Sequence, residues 1–156
     1  MAYSSNFSEG SQFGVVAQED NTTVTITPTA TYAGNTVGVP FEITLDEGET
    51  YQGRSGAGWD LTGTTIEASA PVGVFGGHFC ANVPLGVAFC DHLTEMMPPS
   101  NSWGQSFVTV PFAERENGDI FRILASEDNT DIIVNGLSQG LFDRGEFVEI
   151  NLTEAS

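Results

Sequence analysis

The chain contains no lysine. Its basic residues are four arginines, Arg54, Arg115, Arg122 and Arg144, set against 21 acids for a formal net charge of −17 over 156 residues. A phosphate backbone is gripped by clustered basic side chains, so this balance argues against a nucleic-acid partner. The same absence removes the phosphate-holding lysine of a P-loop and any lysine Schiff base. No apolar run approaches the roughly 20 residues that span a bilayer, so no membrane span is expected. The opening "MAYSSNFSEG" has neither the charged nor the apolar region of a signal peptide, and export would need a signal upstream or already removed. Cysteine and histidine are scarce, two of each, and no G-x-S-x-G elbow, H-E-x-x-H pair or D-x-[DN]-x-[DN]-G calcium loop occurs.

What is present reads as β structure. Hydrophobic residues make up 40% of the chain, enough for a core. "TVTIT" (23–27) and "FEITL" (41–45) alternate apolar with polar positions, the period of a half-buried strand. "TIEA", "VGVF", "FVTVPF", "IFRILA", "DIIV" and "EFVEINL" follow, separated by turn-forming Gly, Pro, Asn and Asp. The best helical candidate is "CDHLTEMM" (90–97), which Pro98 and Pro99 stop after about two turns at most.

The strand pattern is used twice. "VVAQEDNTTVTI" (15–26) recurs as "ILASEDNTDIIV" (123–134), and "LDEGETY" (45–51) is echoed by "FDRGEFV" (142–148). An internal repeat of this kind divides the chain into a first unit, 1–98, and a second, truncated unit, 99–156, together one segment of a longer protein. The expected fold is all-β, an antiparallel sandwich-like architecture of two unequal repeats; a repeat propeller or solenoid is the alternative. In the first copy "TIEASAPVGVF" follows the GE turn, whereas the second runs only to "INLTEAS". The second copy is therefore expected to borrow a strand, from "AYSSNFSEGSQF" or from a neighbouring molecule, which would give dimers or filaments.

The chemistry-bearing residues gather in "GGHFCANVPLGVAFCDH" (76–92), where His78 and Cys80 answer Cys90 and His92. H-x-C and C-x-H could surround zinc, but structural zinc sites favour wider ligand spacings. A disulfide closing the loop "ANVPLGVAF" is the simpler reading, with zinc and free thiols as alternatives. His78, His92 and Asp91 with Ser55 or Ser102 are the groups a hydrolase would use; a structural, hydrogen-bonded histidine is the plainer expectation. Trp59 in "GAGWDLTG" and Trp103 in "NSWGQSF" sit among loop formers, where an indole either stacks on a ligand or caps a core. The "EDNT" turns raise the question of a calcium cofactor, with Asp20, Asp46, Asp119 and Asp128 of separate turns as ligands; Asp and Asn also make turns unaided.

"APVGVFGGHFCANVP", "CDHLTEMMPPSNSWGQSFVTVPFA" and "DIFRILASEDNTDIIVNG" together resemble the N-terminal region of the IgGFc-binding proteins, over most of the chain from about Val15 onward. The resemblance implies a secreted or surface, disulfide-bearing, non-catalytic β module that meets an extracellular protein or glycan. It does not imply that IgG is the ligand.

Overall fold

A computed structural model describes residues 10–154. The chain forms two compact units, Met1–Pro98 and Pro99–Ser156. The described residues contain no α-helix; a single 3-10 turn at Ser100–Ser102 is the whole helical content. Among the described residues all strand pairing is antiparallel, and no sheet closes into a barrel or propeller.

The first unit is a two-sheet sandwich. Strands β1 (Ser11–Ala17), β2 (Thr22–Thr27), β3 (Phe41–Leu45), β4 (Thr50–Arg54), β5 (Thr65–Ala68), β6 (Val72–Ala81) and β7 (Asp91–Met96) sort into one sheet of order β4-β1-β6-β7 and another of order β3-β2-β5. Period-2 burial in β1 turns Phe13, Val15 and Ala17 inward, and β2 answers with Val24 and Ile26, both fully buried. Burying each of these larger side chains contributes about 1.5–3 kcal/mol before entropy is set against it. The Phe13 ring lies over its cross-strand partner Gly53, where a Cβ would collide with it. Between β2 and β3 the chain turns inward at Pro28, Ala30 and Tyr32 while residues 36–40 stay exposed; Ala30 and Tyr32 join the core, and Tyr32 meets Phe13 edge-on at 5.7 Å. Burial, with the neighbouring Tyr51 as the lesser cause, holds the Tyr32 phenol well above its ordinary pKa.

The second unit repeats the first half of this plan. Strands β8 (Asp119–Leu124), β9 (Thr130–Val134), β10 (Leu137–Phe142) and β11 (Phe147–Leu152) pair as β11-β8 and β10-β9, as β4 pairs β1 and β3 pairs β2. The register is also shared: Val16 faces Thr50 as Leu124 faces Phe147, and Thr22 faces Leu45 as Thr130 faces Phe142. Between β9 and β10 the chain turns at Asn135 (φ 51°) and Gly136 (φ 77°), the two left-handed positions of a type I′ hairpin.

The helical candidate resolves as a strand, and one expected strand does not pair. "CDHLTEMM" is not helical but β7, because the hairpin across residues 82–90 lays it along β6, and ladder pairing outweighs a run of helix formers. "FVTVPF" alternates like a strand, yet residues 107–112 pair with no strand among the described residues and leave Phe107, Val108, Val110 and Phe112 exposed. Of the segment expected to lend a strand, Ser11–Phe13 are part of β1, between β4 and β6; residues 1–9 lie outside the described residues.

Candidate binding face

Cys80 and Cys90 are bonded, with their Cα atoms 5.0 Å apart, and no free cysteine remains among the described residues. The bond closes the β6–β7 hairpin where β6 carries a bulge: Phe79 and Cys80 stand opposite His92 alone, between the pairs His78–Leu93 and Ala81–Asp91. Asn82, buried inside the loop, is a second tie, its Nδ2 donating to Val87 O (2.7 Å) and Phe89 O (3.0 Å). The opposite rim stays apolar and outside, with Leu85, Val87 and, at 95% exposure, Phe89.

The two histidines are not brought together. His78 is fully buried, and its Nδ1 accepts the Cys80 N–H at 2.9 Å, which places the neutral ring's proton on Nε2. His92 is exposed, within 2.6 Å of Thr94 Oγ1, and the pleat sends it to the sheet face opposite His78. Ser55 is engaged with Ser11 and the Trp59 carbonyl, and Ser102 donates to Pro99 O. Neither set of partners includes a histidine. Trp59 stays exposed at 58% while its carbonyl accepts from Ser11 and Ser55; Trp103 closes the 3-10 turn by donating its N–H to Ser100 O.

The turn carboxylates bind their own chain. In the first unit Asp20 Oδ1 accepts the Glu47 N–H, Asp46 Oδ1 accepts the Asn21 N–H, and Glu49 Oε2 accepts the Asp46 N–H. In the second unit Asp128, Asp143 and Glu146 do the same for Arg144, Asn129 and Asp143. The EDNT turn and the GE turn thus clasp each other in both copies, with Asn21 and Asn129 both left-handed (φ 55° and 56°). Asp119 pairs with Arg115 at 2.8 Å and accepts the Phe112 N–H. No group of three or more His, Cys, Asp or Glu among the described residues is placed to hold a metal ion.

A surface not singled out by the sequence lies on the outer face of the four-stranded sheet. Phe75 and Met96 are cross-strand partners, both exposed, and Phe79, at 66% exposure, points the same way two pleats on. Between them Gly14 and Gly77 contribute no side chain. A groove of about 410 Å³ results, edged by Gln12, Gln52, Thr94 and Phe75. Gly77 is required here, since a Cβ would strike the Leu93 carbonyl; at Gly14 the nearest atom to an added Cβ is Tyr51 O, 4.0 Å away. No charged side chain lines the groove, although the chain carries a net charge of −17. The signal in the sequence is "GVFGGHF" (73–79), where glycine and phenylalanine alternate on a single face.

The IgGFc-binding protein family model matches residues 1–156. The IgGFc-binding protein of Homo sapiens is 30% identical over 120 residues, which is 74% of this chain and 2% of that relative, so the chain spans a small fraction of the relative's length. No solved structure gives a significant match. By the extent of the family match and by this identity, the chain belongs to the IgGFc-binding protein family.

Proposed function

We propose that the chain is a non-catalytic, extracellular binding module whose protein ligand lies across the outer face of β4-β1-β6-β7. The observation that carries this reading is the uncharged, glycine-floored groove lined by Phe75, with Phe79 and Met96 exposed on the same sheet face, on an otherwise acidic chain. Apolar exposure of this kind, rimmed by amides and hydroxyls, is the composition of an interaction surface. The disulfide supports an oxidising location. The relative's name supplies the first protein to try, the Fc of IgG; a glycan is the second ligand class. The test measures retention on immobilised human Fc and on a glycan array. Binding to one of them is expected, with Gly14→Val filling the groove and Phe75→Ser removing its wall, each weakening it at least tenfold. Binding that both variants leave unchanged, or no binding to either probe, would sink the reading.

Calcium enters the proposal as a counter-ion. Net charge of −17 repels itself, so millimolar calcium is expected to raise Tm above an ionic-strength control. An unchanged Tm removes it.

A second reading, a structural subunit completed by a strand from elsewhere and so able to build dimers or filaments, is favoured by the open edges of β8 and β9, which have one partner each among the described residues.

A further inference from the structure

The first unit shows what covers those two edges in its own copy of the plan. There β1 is flanked by β4 and β6, and β2 by β3 and β5, while among the described residues β8 and β9 keep only the counterparts of β4 and β3. The cover matters to the core as well as to the backbone. Phe13, Val15 and Ile26 are buried beneath the complete sheets, whereas Phe121, Ile123 and Val134, which hold the same repeat positions, are only half-buried. Ala125 and Ile132 are the apolar residues of this repeat that do reach full burial in the second unit.

Resting on the second reading above, we propose that the open edges of the second unit receive one extended polypeptide segment of the β5–β6 kind, running antiparallel first to β9 and then to β8. Its chemistry follows from the strands that do this in the first unit. Thr65–Ala68 pair with Thr27–Val24, and Val72–His78 pair with Ala17–Ser11. Carried over by the shared register, the incoming strand lies opposite Ile132–Val134, one residue shorter than in the first unit because Asn135 already belongs to the turn. A seven-residue strand then lies opposite Asp119–Ala125. Between the two strands the segment must cross from one sheet to the other, which Ser69, Ala70 and Pro71 accomplish in the first unit. The incoming segment therefore has a β-branched residue facing Val134, as Ile66 faces Ile26, and a valine-like residue facing Ala125, as Val72 faces Ala17. Between these strands it carries a proline, which has no N–H to leave unpaired at the crossing. Main-chain pairing supplies affinity and the alternate apolar side chains supply choice of partner, the logic of strand addition.

The experiment uses the full chain and, as the probe, a synthetic peptide with the sequence of residues 64–78, TTIEASAPVGVFGGH, followed by amide hydrogen exchange. In the chain alone, amides on the open edges of 119–125 and 132–134 are expected to exchange freely. Slow exchange there without peptide would overturn the reading of an open edge itself, and a concentration-dependent dimer that shields them would give the edge to a second copy. With peptide, saturable protection is expected at both stretches together, weakened at least tenfold when the peptide carries Val74→Pro. Free exchange that the peptide does not slow at millimolar concentration, or protection confined to the first unit, overturns the β5–β6 assignment while leaving the open edge standing.

Discussion

Ile26→Ala is expected to lower the unfolding free energy of the first unit by about 3–4 kcal/mol, and Val134→Ala at the same repeat position in the second unit by about 1 kcal/mol. Ile26 has no exposed surface and packs between two complete sheets, so truncation removes transfer energy and leaves a cavity that three strands on one side and four on the other cannot close. Val134 is half-buried on a two-stranded sheet, and water already reaches the space its methyl groups would vacate. The two units need separate readouts, so denaturation should be followed by amide signals assigned to each. Equal losses at the two positions, or less than about 1 kcal/mol at Ile26, would show that burial does not distinguish the two copies.

The second large effect concerns the cysteine loop. Breaking the Cys80–Cys90 bond, by reductant or by Cys80→Ser with Cys90→Ser, frees a loop with a sequence separation of 10, and loop entropy puts the cost at roughly 2–3 kcal/mol. The loop does not open fully, because Asn82 still ties Val87 and Phe89 from inside. Adding Asn82→Ala to the reduced protein should therefore remove a further 1–2 kcal/mol or so, and more than the same substitution costs while the bond is intact. Denaturant titrations of the four species, oxidised and reduced with and without the substitution, measure this coupling. Strict additivity would show that the two ties act independently.

Much of the fold was readable in the residues, and the part that was not has identifiable causes. The duplicated EDNT and GE turns were legible because Asp, Asn and Gly at fixed offsets have few conformations open to them, and both copies fold into the same clasp. Strands β2, β3, β5, β6, β8, β9 and β11 fall on runs legible as β in the sequence, whereas β10, "LSQGLF", was not among them. What the four turn aspartates accept, backbone N–H groups of the facing turn, could not be read locally, since Asp20 and Glu47 are brought together only by the β1–β4 pairing, whereas Glu49 and Glu146 accept within their own turn. The β7 strand was hidden for a similar reason: Leu93, Glu95 and Met96 favour a helix on their own, and the decisive partner, β6, lies across a closed loop. Tyr32 and Ala30 gave no periodic signal, yet they plug the core. The outer groove depends on β1 and β6, far apart in sequence, lying side by side so that Gly14 faces Phe75 and Gln12 faces Gly77, a juxtaposition that no single segment displays.

The contrast between the two β-hairpin connections also bears on the order in which the chain acquires its pairing. β9 and β10 are joined by Asn135 and Gly136 alone, so their ladder closes almost locally, whereas β2 and β3 must first close over residues 28–40. The connecting lengths differ by a factor of about six, which adds about 1.7 kcal/mol of loop-closure entropy to the first copy before any of its contacts form. That entropy is recovered only when Tyr32 and Ala30 have seated in the core. The less buried of the two copies is thus the one with the cheaper nucleus, and the better buried copy is reached through longer-range encounters.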